Sequence, residues 1–163
     1  MASSPEQGAL ALLHACRARG FTVATAESCT GGLIAGALTA ISGSSAVVDR
    51  GYVVYSNRAK EEMLGVPRDM LATHGAVSEA VAIAMAEGAL ARAGTNIAIA
   101  VTGIAGPGGA TPGKPVGLVH LACARRERPT LHHREVFAGD REAVRHATIL
   151  RALEMMMSQA ELD

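Results

Sequence analysis

The stretch that most constrains this chain runs from Phe21 to Ile41, where an apolar segment breaks into a polar turn and then into a helix-like run. Phe21 to Thr25 reads as a short buried strand. Ala24 to Gly32 reads ATAESCTGG, which places a carboxylate, a hydroxyl, a thiol and a second hydroxyl side by side at Glu27, Ser28, Cys29 and Thr30. Gly32 to Ile41 follows as a helix, small-sided through Ala35, Gly36 and Ala37, so that it can pack closely on a sheet. A strand turning sharply into a helix calls for layered α/β architecture, and it sets a nucleophile beside the unsatisfied N–H donors of a first helical turn. Ser28 is the candidate nucleophile, with backbone N–H groups around Gly31 and Gly32 as an oxyanion hole. A helix cap is the simpler reading of the same serine, and Cys29 is a rival nucleophile.

The rest of the chain keeps to that architecture. Residues 6–19 carry Ala9, Leu10, Leu13 and Cys16 at helical spacing, and Gly20 is a natural stop. Ala46 to Tyr55 is β-rich, with a bulge or bend expected at Asp49-Arg50-Gly51. Ser56 caps a helix from Asn57 to Leu64, and Pro67 opens a further short turn. Residues 73–77 read as a loop. Ser78 caps a helix from Glu79 to Arg92, with Glu79 at its positive end. Asn96 to Thr102 is a fully buried strand by pattern, and residues 103–115 form a loop rich in glycine and proline. Val116 to Ala124 and Leu131 to Phe137 are two more strands, paired antiparallel because only residues 125–130 join them. Asp140 caps a final helix from Arg141 to Ala160. Five strands with interspersed helices predict one α/β domain with a mixed sheet.

Composition narrows the function. At 163 residues the chain is long enough to bury roughly 70% of its unfolded surface. With no Trp and only two Tyr and two Phe, the core must be built from Ala, Val, Leu, Ile and Met. Fifteen basic against fifteen acidic residues argue against a general nucleic-acid binder. No apolar run approaches the ~18 residues of a membrane span, and the first ten residues show no signal peptide. Cys16, Cys29 and Cys123 are odd in number and widely spaced, which fits a reducing cytoplasm rather than a disulfide framework or a zinc site. His132-His133 is the only adjacent histidine pair and leaves a metal-dependent hydrolase as a weaker reading. No cofactor is called for.

Three further constellations stand out. Lys60 falls in the first turn of the helix capped by Ser56, where the helix field opposes its charge and favours the neutral amine that a lysine base requires. Tyr55, just ahead, could relay a proton. The alternative is a solvated surface lysine. Arg141 and Arg145 lie one turn apart at the positive end of the last helix, suited to a phosphate or carboxylate or else solvated. His74 is a similar candidate for phosphate or proton work. Residues 108–114 match GxxxxGK, but Pro115 replaces the Ser or Thr of a P-loop and a strand follows, so a nucleotide triphosphatase is rejected. That loop is instead a flexible wall of a site at the end of the 96–102 strand, with Thr102 pointing into it.

Taken in order, TAESCTGG, GSS, GYVVYSNRAK, HGAVSE, VTGIAGPGG, KPVG and GDREAVR span Thr25 to Arg145, and this set resembles the CinA carboxy-terminal domain, the nicotinamide-nucleotide amidase (PncC) family. The resemblance implies a three-layer α/β/α single domain over residues 1–163, with a mixed, mostly parallel sheet of five to six strands. Some relatives carry an additional amino-terminal domain, for which this chain is too short. The resemblance further implies deamidation of nicotinamide mononucleotide to nicotinic acid mononucleotide and ammonia, without metal or cofactor. By motif, Ser28 is the nucleophile, Lys60 its base, and Tyr55 and Ser45 assist proton transfer or position the amide. Thr30, Gly31, Gly32, His74, Thr102, Gly103, Arg141 and Arg145 are the implied substrate-binding residues, the arginines on the phosphate. The expected partner is a small pyridine nucleotide, with no nucleic acid and no membrane, and the chain is expected to form a homodimer or larger homo-oligomer in the cytoplasm. A nucleotide-binding regulatory module of the competence or damage-inducible type, binding without turnover, is the alternative.

Overall fold

The structure is a computed structural model that describes residues 4–163. The expected domain over residues 1–163 thus includes three residues, 1–3, that lie outside the described ones. The elements follow as α1 (Pro5–Arg19), β1 (Val23–Glu27), α2 (Leu33–Thr39), a 3-10 turn (Ser44–Ala46), β2 (Val48–Val53), α3 (Asn57–Leu64), α4 (Arg68–His74), α5 (Glu79–Ala93), β3 (Ile97–Gly103), β4 (Leu118–Arg125), β5 (Leu131–Val136) and α6 (Arg141–Glu161). Caps set the expected boundaries: Ser56, Ser78 and Asp140 each accept an N–H from three residues on, and Gly20, Gly65 and Gly94 end their helices in the left-handed conformation.

The five strands form one sheet in the order β2-β1-β3-β4-β5. β1 pairs parallel with β2 and β3, whereas β4 pairs antiparallel with β3 and β5. Four strands therefore point one way and β4 opposes them, the mixed, mostly parallel sheet that was expected. The bulge falls at Asp49, where the register with β1 slips between Val48 and Arg50.

Alternation along the central strands builds two unlike faces. Val23, Ile97, Ile99, Val101, Val119, Leu121 and Cys123 pack under α1, α2 and α6. Ala24, Ala26, Ala98, Ala100, Ala122 and Ala124 face the other way and take α5 with α3 and α4. The layers are thus α/β/α, and the alanine face lets α5 lie close to the sheet. Close approach continues beyond it: a Cβ on Gly88 of α5 would stand 2.1 Å from the Leu64 carbonyl oxygen at the end of α3.

Two local expectations are corrected. Residues 73–74 belong to α4, because Leu71 anchors that short helix in the core beside α5. β1 runs two residues beyond Thr25, to Glu27, since Ala26 and Glu27 stay in register with Tyr52 and Val53 on one side and Ala100 and Val101 on the other. From β1 the chain turns towards β2, and from β3 towards β4. The carboxy ends of β1 and β3 therefore flank a point where the strand order diverges, the usual place for a ligand crevice in such sheets.

Candidate active site

Ser28 is the first residue past β1. Its N–H still donates to Val101 O at 3.1 Å, so the sheet holds the nucleophile's backbone. Glu27, fully buried, turns its carboxylate onto the head of α2. Oε1 accepts from Thr30 Oγ1 at 2.5 Å and from Ile34 N at 2.8 Å, and Oε2 accepts from Ala35 N at 3.0 Å. An anion at the positive end of a helix with three hydrogen-bond donors is a satisfied buried charge. Most of the N–H groups of this turn are consequently engaged within it. Gly31 N donates to Ser28 O at 3.1 Å and Leu33 N to Thr30 O at 3.0 Å, while Ile34 N and Ala35 N are held by Glu27. Gly31 and Gly32 serve the turn instead, at φ 57° and 101°.

Lys60 approaches from α3. Ser56 Oγ accepts from Ala59 N at 3.0 Å, which starts that helix and leaves Lys60 in its first turn. The side chain is 1% exposed. Its Nζ lies 3.2 Å from Ser28 Oγ, 3.0 Å from Val54 O and 3.1 Å from Tyr55 O. The two carbonyls can only accept, so in a neutral amine they take both N–H bonds and leave the lone pair to the serine hydroxyl. Burial without a carboxylate partner displaces the ammonium pKa downwards, and desolvation is the main cause. A solvated surface lysine is ruled out. Cys29 differs in kind: burial pushes its thiol up to about 11, so it stays protonated at neutral pH.

The pair opens into a cleft of about 270 Å³. Ser28, Cys29, Tyr55, Asn57 and Lys60 line it together with Ala76, Val77, Thr102, Arg141, residues 103–106 and the Gly108-Gly109 pair. Thr102 Oγ1 donates to Ala76 O at 2.9 Å and ties the 75–77 segment to β3. Arg141 Nη1 donates to Gly106 O at 2.9 Å, bracing the glycine-rich loop while its guanidinium lines the cleft. The Tyr55 side chain stands at the rim, 66% exposed, and its carbonyl is what meets Lys60.

Seven of the residues singled out in the sequence thus share the cleft: Ser28, Cys29, Lys60, Tyr55, Thr102, Gly103 and Arg141. The others do not line it. The Thr30 hydroxyl is spent on Glu27. Ser45 is exposed in the 3-10 turn before β2, at the amino end of the parallel strands and so at the opposite end of the sheet. His74 is exposed, and its carbonyl accepts from Lys114 Nζ at 2.6 Å. Arg145 donates to Cys29 O at 3.1 Å and Thr30 O at 3.3 Å, behind the turn. Asn57 was not singled out by the sequence, which left Glu27 open between orienting Lys60 and hydrogen-bonding the turn, the role it has here. A signal for Glu27 existed: the first turn of α2 has no acid of its own, and Glu27 precedes Thr30 by one turn's spacing.

His132 and His133 do not act together. As neighbours on β5 they face opposite sides, His132 Nε2 meeting His120 Nδ1 at 2.9 Å and His133 Nδ1 meeting Arg151 Nη2 at 2.9 Å. Among the described residues no group of three or more His, Cys, Asp or Glu is arranged to hold a metal, and no helix is long and apolar enough to cross a membrane.

Fold and cleft together define an α/β/α domain with a buried serine–lysine pair at the carboxy ends of its parallel strands. The CinA C-terminal domain family matches residues 6–160, and the chain belongs to that family. It is 50% identical over 146 residues to the nicotinamide-nucleotide amidohydrolase PncC of Escherichia coli strain K12, covering 90% of this chain and 88% of that protein. It is 52% identical to a CinA-like protein of Anaeromyxobacter dehalogenans, where 85% of this chain covers 34% of the longer relative. Among solved structures, the competence/damage inducible protein CihA of Agrobacterium tumefaciens superposes with a TM-score of 0.94 at 52% identity, over 98% of this chain and 99% of that one.

Proposed function

We propose that this chain hydrolyses the carboxamide of nicotinamide mononucleotide, giving nicotinic acid mononucleotide and ammonia, through an acyl-enzyme on Ser28. The observation that carries the reading is the Lys60 amine, buried, 3.2 Å from Ser28 Oγ and tied by two carbonyls. The activity of the Escherichia coli relative, at 50% identity over nearly the whole chain, supplies the substrate.

Neutral Lys60 takes the proton of Ser28 as Oγ attacks the amide carbon. The proton then passes from Lys60 to the departing nitrogen, the C–N bond breaks and ammonia leaves. A water molecule, deprotonated by the same amine, attacks the ester, and the carboxylate product leaves as Ser28 regains its proton. The Cys29 N–H, on the residue after the nucleophile in a strand-to-helix turn, is the donor assigned to the oxyanion, a contribution of about 3–4 kcal/mol. Arg141 keeps one N–H on Gly106 O and offers the others to the substrate phosphate, which fixes orientation from a distance.

Ammonia release from nicotinamide mononucleotide tests the reading. Wild type should turn over, whereas folded Ser28→Ala and Lys60→Ala should not. Unchanged turnover in Ser28→Ala removes the nucleophile assignment.

A further inference from the structure

Arg145 is half-buried, and among the described residues none of the ion pairs includes it. Its guanidinium is spent on backbone instead: Nε donates to Cys29 O at 3.1 Å and Nη2 to Thr30 O at 3.3 Å. Those are the two carbonyls that follow the nucleophile. Glu27 grips the same turn from the other side, through the Thr30 hydroxyl and the first N–H groups of α2. Peptide planarity makes each C=O antiparallel to the N–H of the next residue. Holding Cys29 O and Thr30 O therefore fixes the Cys29–Thr30 and Thr30–Gly31 peptide planes, the two that come directly after the plane leaving Ser28, and so limits how far the turn behind the nucleophile can rotate. The Ser28–Lys60 contact, at 3.2 Å, is near the long limit of a hydrogen bond, so a small rotation of this turn breaks it.

We infer that Arg145 is a positioning residue for Ser28, acting on the backbone of the nucleophile turn and not on the substrate phosphate. This rests on the proposed role of Ser28. A loosened nucleophile lowers kcat by about 10- to 100-fold, the cost of displacing a reacting group by about 1 Å. It leaves KM nearly unchanged, because the cleft wall and Arg141 stay in place. Arg145→Lys restores part of the loss, since one ammonium can hold one of the two carbonyls.

The test measures kcat and KM of Arg145→Gln and Arg145→Lys on nicotinamide mononucleotide and on its dephosphorylated nucleoside, with folding checked by circular dichroism. In parallel, the rate at which a fluorophosphonate labels Ser28 is followed by peptide mass. Equal loss of kcat on both substrates, slower labelling and partial recovery in Arg145→Lys support the positioning role. A rise in KM for the phosphorylated substrate alone, with labelling at the wild-type rate, overturns it and assigns Arg145 to the phosphate. A wild type that neither turns over nor is labelled overturns the Ser28 reading itself, and the positioning role with it. Should Arg145→Gln fail to fold, wild-type labelling and kcat in Arg145→Lys still overturn the role, and reduced values in that folded variant support it.

Discussion

Glu27→Gln isolates the cap that holds the nucleophile turn. The amide oxygen can still accept from Thr30 Oγ1 and Ile34 N, but the amide nitrogen then faces Ala35 N, donor against donor. One charge-assisted bond is lost at a fully buried site, which costs about 1.5–3 kcal/mol. Loss of the negative charge at the head of α2 adds about 0.3–1 kcal/mol. The sum, about 2–4 kcal/mol, lowers Tm by roughly 5–15 °C for a domain of this size. Thermal unfolding followed by circular dichroism measures it, and ammonia release on the same sample should fall with it because Ser28 sits on the turn. A Glu27→Gln variant within about 2 °C of wild type would refute the cap as a source of stability.

Four further outcomes are expected. The kcat/KM profile should rise with pH through an ionisation below the ordinary lysine value of 10.5, because burial lowers the pKa of Lys60 and only its neutral form is the base; that ionisation should vanish in Lys60 variants retaining residual activity. Since folding depresses the same pKa, the contribution of Lys60 to stability falls as pH drops from above 10.5 to the folded value and is level below it, readable as urea midpoints across that window. Gly88→Ala should destabilise by at least about 1–3 kcal/mol in urea unfolding, because its methyl group would meet the Leu64 carbonyl oxygen at 2.1 Å, a backbone atom that cannot swing aside. Arg141→Gln should raise KM on nicotinamide mononucleotide by about 10-fold or more and leave KM on the dephosphorylated nucleoside unchanged.

What could be read in the sequence was local. Ser56 as a cap puts Lys60 in a first turn whatever the rest of the chain does, and alternation in β3 and β4 separates the two faces of the sheet. The run from Gly103 to Pro115 was legible as a wall because a glycine-rich loop must follow a buried strand at its carboxy end. Tertiary pairings were not legible. Arg145 reads as an anion ligand from its place on α6, and only the packing of α6 over the turn brings it to Cys29 and Thr30, more than a hundred residues away in the chain. Ser45 follows Ser28 closely in sequence, yet α2 carries it to the far end of the sheet. For Glu27 the sequence leaves two roles open, orienting Lys60 or hydrogen-bonding the turn, and its partners are the Thr30 hydroxyl and helix N–H groups of that turn.

The proposed reaction passes through an ester on Ser28 made with the help of Lys60. Acid quenching during turnover of nicotinamide mononucleotide, followed by peptide mass analysis, tests it most directly. A nicotinic acid mononucleotide acyl group is expected on the peptide carrying Ser28, absent in Ser28→Ala and in Lys60→Ala. An acyl group on Cys29, or ammonia release that persists in Ser28→Ala, would contradict it.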